Sequence, residues 1–261
     1  MSKKTRRLRI AFCGDREIAV AVLEHLLNHD TKPLALIVPE KSRASHADAL
    51  VNLCSFLPPD NILVGQAFRE PAGIEMLSQL DLDFIIGVHF PYIVPPEVLS
   101  IPREGVLNLH PGFLPYNRGW HTPSWAILED TPIGATLHFM DEDIDTGDIV
   151  YQKQLSISPA DTAHSLYQKL IQLEFEVFKE AWPKIVSGTY VRKPQDPGAG
   201  TMHRRKELFT PNIQQIDLNA EIKANDLLKK LRALTTNQIS EAAYFVTKGK
   251  RYRVQVIIQE E

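Results

Sequence analysis

An α/β fold built on a mostly parallel sheet is what this sequence predicts, and three observations carry the prediction. Leu8 to Cys13 is a short apolar run closed by Gly14, after which Ile18, Val22, Leu23 and Leu26 recur at helical spacing through about Leu27. Pro33 to Val38 is a second apolar run, which completes a strand–helix–strand opening of the kind that makes parallel sheets. Asp83 to Val88 is apolar without a break, the pattern of a strand covered on both faces.

The remaining elements follow in order. Ser42 to Pro59 carries a helix with Ala47, Leu50, Val51, Cys54 and Leu57 on one stripe. Asn61 to Val64 is a short strand, and Pro71 to Leu80 a short helix with proline at its start. Val106 to His110 is a strand stopped by Pro111-Gly112. Alternation puts Asn108 and His110 on one face of it, two residues apart. In open α/β sheets ligands bind at the C-terminal ends of strands. His89-Phe90-Pro91-Tyr92-Ile93, just past the strand ending at Val88, would offer a ligand aromatic walls there. Pro123 to Leu128 makes a helical turn or two. Gly134 to Met140 alternates, with Thr136, His138 and Met140 on one face, and Asp148 to Ile157 is a further strand.

Ser158-Pro159-Ala160-Asp161 reads as the start of a long helix, with Pro159 at its first position and Leu166, Leu170, Leu173, Val177 and Ala181 as its stripe. That helix ends near Gly188, after Pro183. Tyr190 to Pro211 is irregular and polar, a linker or a loop wrapping the main domain. Ala224 to Leu234 is a short amphipathic helix. Ala242 to Val246 and Tyr252 to Ile258 are strands of a hairpin around Lys248-Gly249-Lys250. One helix and one hairpin bury little alone. The expected division is therefore a main domain over residues 1–205 and a small C-terminal part over 206–261.

Composition narrows the function classes. The chain has 261 residues, of which 44% are apolar and 23% charged, and its net charge of -3 gives no bulk basic surface for nucleic acid or membrane. The basic start, Met1 to Arg9, precedes an apolar run too short for a signal sequence or a membrane span, so a cytoplasmic protein is expected. Cys13 and Cys54 read as small core residues in a reducing compartment. No zinc-ligand spacing is found. Gly14-Asp15-Arg16 lacks the three glycines of a dinucleotide fingerprint, which discounts NAD, although its N–H groups and Arg16 could meet a phosphate. Asp141, Asp143 and Asp145 match the first ligand positions of an EF-hand loop. The match fails at position six, Thr146, and at position twelve, Gln152. Calcium is rejected. One carboxylate directed into a site, with the others solvated, is the alternative.

Asn108-x-His110-Pro111-Gly112-x-Leu114-Pro115, then Arg118-Gly119, then Thr136-x-His138, then Asp145-Thr146-Gly147-Asp148-Ile149 form an ordered series. It resembles the folate-dependent formyltransferase family from about Leu8 to Gly188. The resemblance implies a Rossmann-like sheet, N10-formyltetrahydrofolate as donor, and a catalytic set of Asn108, His110 and Asp145. It implies folate contacts around Phe90, Tyr92, Ile93, Leu114, Asp141 and Asp143, largely through main chain. Asn117-Arg118-Gly119-Trp120 is similar to the sugar N-formyltransferases, which act on nucleotide-linked amino sugars. That likeness implies a dTDP- or GDP-type acceptor, a role in cell-surface polysaccharide (O-antigen) synthesis, and acceptor contacts from Arg16, Tyr116, Asn117, Arg118 and Trp120.

The methionyl-tRNA formyltransferases resemble this loop too. They carry small residues where Trp120 stands and append a full barrel domain that binds tRNA. The purine-pathway glycinamide ribonucleotide formyltransferase is similar at the triad but normally lacks such a tail. A non-catalytic binding protein on the same fold is a third reading. A tRNA ligand ordinarily demands a basic surface, which this composition lacks. The expected partners are folate, a nucleotide-linked amino sugar and a second copy of the chain, with no nucleic acid and no membrane. The second copy follows from the apolar stripe and open hairpin edges of the tail.

The implied chemistry accounts for the residue types. A neutral amine attacks the formyl carbon, and a tetrahedral oxyanion forms. Asn108 and protonated His110 can both donate to that oxygen. Asp145 beside His110 would keep the imidazole charged and accept the amine proton, directly or through water. The scheme requires no metal and no covalent intermediate.

Overall fold

The unbroken apolar runs form the inner strands of one sheet. In the computed structural model, which describes residues 7–261, the order of elements is β1 (Ile10–Gly14), α1 (Arg16–Asn28), β2 (Ala35–Val38), α2 (Ala47–Leu53), β3 (Ile62–Val64), α3 (Pro71–Gln79), β4 (Phe84–Val88), α4 (Pro96–Leu99) and β5 (Gly105–His110). Then come β6 (Arg118–Gly119), α5 (Thr122–Glu129), β7 (Ile133–Phe139), β8 (Ile149–Leu155), α6 (Ala163–Val186), β9 (Met202–His203), α7 (Pro211–Gln214), α8 (Ala224–Ala233), β10 (Ala243–Thr247) and β11 (Lys250–Val254). The basic start, Met1 to Arg6, lies outside the described residues. Seven strands pair in the order β3-β2-β1-β4-β5-β7-β8. The first five are parallel to their neighbours, and β7 runs antiparallel to β5. This is the expected α/β class with a mostly parallel sheet.

The chain falls into two compact units that interleave along the sequence. One takes the chain up to His110, then Thr136–Tyr151 and Glu174–Gln195. The other takes Pro111–Ala135, Gln152–Leu173 and Asp196–Glu261. In the first unit every residue of β1 and β4 is buried, as strands covered on both faces require. β3, the edge strand, is half-buried to exposed. Each fully buried Ile, Leu or Phe here contributes roughly 1.5–3 kcal/mol. Burial pushes the Cys13 thiol up to about 12 and Cys54 to about 11. Both are free, and thiols so shifted are inert core residues.

In the second unit, the C-terminal helix has a partner. Leu231 and Leu234 pack with Trp125 of α5, Leu208 and Ala243 in one buried cluster. Ala233 joins a neighbouring cluster with Ala126, Ile127, Ile133, Leu166 and Leu170. The tail therefore shares its core with residues far earlier in the chain.

Several boundaries differ from the sequence expectation for local reasons. The helix expected over residues 42–59 is only Ala47–Leu53. Before it, Ser45 and His46 give their main-chain N–H groups to the buried Asp15 carboxylate at 2.8–3.0 Å. The long helix starts at Ala163 instead of near Pro159. Asp161 takes the Ser158 N–H at 2.8 Å and the Lys169 ammonium at 2.7 Å, while Thr162 and Ser165 cap each other at 3.0 and 3.3 Å. The end of that helix at Val186, past Pro183, agrees with the end expected near Gly188. The hairpin is tighter than expected, because Thr247 pairs with Lys250. Lys248 and Gly249 lie at φ 48° and 71°, the two left-handed residues of a type I′ turn.

One buried ion-pairing group ties α6 to the sheet inside the first unit. The Glu174 side chain is fully buried, and its two oxygens lie 2.8 and 3.0 Å from Nε2 of His89, which donates to them. His89 is the residue after β4 and sits at φ 50°. Removing one member of a buried pair typically costs about 3–5 kcal/mol, because the other is left desolvated. Glu174→Ala is accordingly expected to lose about 3 kcal/mol or more in denaturant unfolding. A loss below about 1 kcal/mol would mean that the pair is not integral to the fold.

Candidate active site

The register of β5 against β7 builds the site. Asn108 lies opposite His138, and His110 opposite Thr136. Residues opposite one another in an antiparallel pair share a face, so these four side chains form one polar patch. It sits at the C-terminal end of β5, where parallel sheets of this kind take their ligands.

The loop after β7 then returns a carboxylate to the patch. Phe139 N–H bonds the Asp148 carbonyl at 2.9 Å and closes the loop. Asp145 Oδ2 lies 3.5 Å from His110 Nδ1. Asp145 Oδ1 accepts from Asn108 Nδ2 at 3.3 Å and is 3.5 Å from His138 Nε2. The side chains of His110, His138 and Asp145 are only 5%, 1% and 14% exposed, so water screens the interactions among them weakly. The structure thus brings Asn108, His110 and Asp145 together and adds His138. That fourth residue was missed as a site member, although its period-two spacing from Thr136 signalled that both face the patch. His138 Nδ1 lies 2.7 Å from the Phe139 carbonyl, which can only accept, so Nδ1 carries a proton. Nε2 then meets the Asn108 amide at 3.2 Å.

Asp145 holds its place at φ 55°, a conformation that costs a non-glycine residue about 1 kcal/mol or more. Two neighbours explain how the turn closes. A Cβ on Gly147 would stand 2.1 Å from the Phe139 carbonyl oxygen, so only glycine fits. Thr146 donates its hydroxyl to Asp141 at 2.6 Å. Asp141 and Asp143 are themselves exposed.

The candidate folate residues are placed as follows. Phe90 and Tyr92 turn toward the core, with ring centroids 5.3 and 6.1 Å from that of the buried Phe68. The Tyr92 hydroxyl donates to Glu40. Ile93 is 71% exposed. The amides of Phe90, Tyr92 and Ile93 take no part in the main-chain hydrogen bonds among the described residues. The loop therefore offers a ligand its peptide groups, and the aromatic walls read from the sequence are packed inward. Leu114 is a core side chain of the second unit, and its carbonyl accepts from Gln152 at 3.0 Å.

The acceptor-side candidates divide. Arg16 is more than half exposed. The neighbouring Asp15 carboxylate is buried and turned to the main-chain N–H groups of Ser45 and His46. Within the second unit Asn117 is buried at φ 59°. Its amide donates to Thr131 and to the Pro132 carbonyl at 3.1 and 2.8 Å, so that side chain fixes the loop. Arg118 is nearly buried, and its strand β6 pairs with β9. Tyr116 is half-buried. Trp120 is 40% exposed, with the Arg205 guanidinium 5.1 Å from its ring centroid. Arg205 was not singled out from the sequence. A cavity of about 460 Å³, lined in part by Arg7, Arg9, Lys32 and Phe56, opens at the opposite, N-terminal edge of the sheet and contains none of the triad. Among the described residues no group of three or more His, Cys, Asp or Glu is placed to hold a metal ion.

Comparison with known proteins bears on this geometry. The Formyl transferase model matches residues 8–182, and the N-formyltransferase dimerization C-terminal domain model matches residues 210–260. The dTDP-4-amino-4,6-dideoxyglucose formyltransferase of Mycobacterium tuberculosis is 29% identical over 179 residues, covering 69% of this chain and 74% of its own. The methionyl-tRNA formyltransferase of Thermotoga maritima is 30% identical over 240 residues, 87% of this chain and 72% of its own. A sugar N-formyltransferase from a Shewanella species has the same fold, with a TM-score of 0.81 at 21% identity over 98% of this chain and 100% of that one. The formyltransferase PseJ from Anoxybacillus kamchatkensis, solved with UDP-4,6-dideoxy-4-formamido-L-AltNAc and tetrahydrofolate, gives 0.56 at 25% identity over 86% and 98%. With the Formyl transferase model spanning more than half of the chain, over a strand that carries Asn108 and His110 beneath a returning acid, this chain is a member of the formyltransferase family.

Proposed function

We propose that this protein transfers a formyl group from N10-formyltetrahydrofolate to the amine of a nucleotide-linked amino-deoxysugar. The observation that carries the reading is the Asp145 carboxylate seated against His110 and Asn108 at the C-terminal end of β5. The relative from Mycobacterium tuberculosis is named for a dTDP-linked amino sugar, and the Anoxybacillus structure holds a UDP-linked formamido sugar with tetrahydrofolate. In this reading residues 1–205 are the catalytic part and 206–261 the C-terminal part. Trp120, as an exposed aromatic, and Arg118 serve acceptor affinity.

The chain's own groups suffice for the acid–base work. With Nδ1 of His110 turned to Asp145, Nε2 is the nitrogen that addresses the reacting group. Asn108 Nδ2 has two hydrogens, and its contacts at 3.2 and 3.3 Å are long. The amide therefore has slack to turn onto a substrate oxygen. One such donor to a developing oxyanion is worth roughly 10²–10³ in rate. The folate, when bound, supplies the formyl carbon and a nitrogen leaving group. The free main chain of residues 90–93 suits its ring better than the inward-turned Phe90 and Tyr92 do. Asp145 accepts the amine proton, directly or through one water, and a proton passed on through His110 Nε2 reaches the folate nitrogen, so that the C–N bond breaks with a neutral amine leaving.

A second reading, formylation of methionyl-tRNA, is favoured by the Thermotoga relative, which aligns with 87% of this chain. Purified protein, given N10-formyltetrahydrofolate, is expected to formylate dTDP-4-amino-4,6-dideoxyglucose or a related nucleotide-linked amino sugar and to leave charged initiator tRNA untouched. Robust tRNA formylation would reverse the two readings.

The triad has its own test. Asp145→Asn keeps the shape but removes the proton acceptor, so kcat should fall by on the order of 10²–10⁴. Asp143→Asn, an exposed charge on the same loop, should stay within roughly threefold of the parent. Equal behaviour of the two would remove Asp145 from the mechanism.

The proposal extends to a cytoplasmic homodimer that serves O-antigen synthesis. Among the described residues no helix is long and apolar enough to cross a membrane. The C-terminal model is named for dimerization, and Val246, Tyr252 and Ile257 are 44%, 45% and 98% exposed on that part of the chain. Light scattering is expected to give twice the chain mass of 29.5 kDa, and Val246→Asp with Tyr252→Asp to give the monomer. A monomeric parent protein at micromolar concentration would count against the dimer.

A further inference from the structure

The segment after α6 reads from sequence as a linker or a wrapping loop, and inside the first unit it is a strap laid along the acid loop. The Tyr190 hydroxyl donates to Glu104 at 2.9 Å, and burial with that carboxylate raises the phenol to about 12. Arg192 bonds Asp148 at 3.1 Å and covers the Phe139 ring with its guanidinium 3.7 Å from the centroid. Lys193 and Ile149 exchange both main-chain hydrogen bonds, at 2.8 and 2.9 Å. Beyond these anchors Gln195 reaches back, and its Nε2 donates to the carbonyls of Asp145 at 2.9 Å and of Gly147 at 2.8 Å.

Those two carbonyls flank Thr146, in the turn that holds Asp145 in the left-handed region at φ 55°. A single primary amide has the two hydrogens needed to hold both. Glutamate would aim oxygen at oxygen, and leucine would leave both carbonyls without this donor. Asparagine is one methylene shorter. We propose that Gln195 is a positioning residue that holds the strained turn of Asp145 and so aims its carboxylate at His110. The proposal rests on Asp145 being the acid of the triad. It assigns the strap a part in catalysis although none of it need touch either substrate.

The strap has Tyr190, Arg192 and Lys193 as separate anchors, so Gln195 can be changed without releasing it. The test uses the full chain with N10-formyltetrahydrofolate and dTDP-4-amino-4,6-dideoxyglucose as probes. Gln195→Leu should lower kcat roughly 10- to 100-fold, the range expected when a catalytic group is misplaced by about 1 Å. KM for both substrates should stay within about threefold and the melting temperature within about 3 °C. In an Asp145→Asn background the same change should add no further loss, because Gln195 acts only through that carboxylate. Full turnover in Gln195→Leu, or a further loss in the double variant, overturns the proposal. If Gln195→Leu melts early, Gln195→Glu is judged by the same comparison, and early melting of both assigns Gln195 to the fold instead. Should Asp145→Asn keep its turnover, the triad falls and this inference with it. An inactive Asp145→Asn beside a fully active Gln195→Leu removes this inference alone.

Discussion

The antiparallel pairing of β7 with β5 is the constraint on which the site depends. Had the sheet continued parallel past β5, the next strand would have run the other way, and its chain would have left by the opposite edge. Because β7 turns back, Asn108 meets His138 and His110 meets Thr136. A slip of one residue would turn Thr136 and His138 to the other face. Both faces of β7 are buried, so register is specified by packing along its whole length. Polar groups are tolerated in that strand because they bond one another: His138 to the Phe139 carbonyl, Asn108 to Asp145 and His138.

The same reversal decides where the acid can come from. β7 ends at Phe139 and β8 begins at Ile149, so the chain between them must double back over the end of the sheet. Closing it that tightly requires Gly147, whose missing Cβ leaves room for the Phe139 carbonyl. Asp145 is then forced left-handed, which the loop tolerates because hydrogen bonds from Gln195 and the Thr146–Asp141 contact offset the strain. Asp141 and Asp143, four and two residues earlier, stay in water.

What was legible in the sequence follows from the range of the interactions. Strand periodicity and the break at Gly14 are local signals, and they located every strand of the parallel half within a residue or two. Asn108 and His110 were legible because alternation alone puts them on one face. The start of α6 was not, because Asp161 takes the Ser158 N–H and the cap falls four residues on, at Thr162. At Phe90, Tyr92 and Asn117 side-chain type does not separate a ligand contact from an interior one. Aromatic and amide groups suit ligands and interiors equally, and here the Phe68 cluster and the Thr131–Pro132 turn claim them.

Two residues that the sequence does not single out, Glu174 and Gln195, share one property. His89 and Asp145, one on each side of β5's C-terminal end, are both held at positive φ by partners distant in sequence. Glu174 is 85 positions from His89, and Gln195 is 50 from Asp145. Neither partner lies in a recognisable motif: one is a glutamate in the stripe of a long helix, the other a glutamine in a polar stretch. Conformations that are unfavourable locally can persist only if something outside the local sequence over-determines them. Asn108, His110 and Asp145 alone therefore do not determine the geometry. A chain could keep Asn108, His110 and Asp145 and still lose the arrangement if α6 shifted or the strap came away.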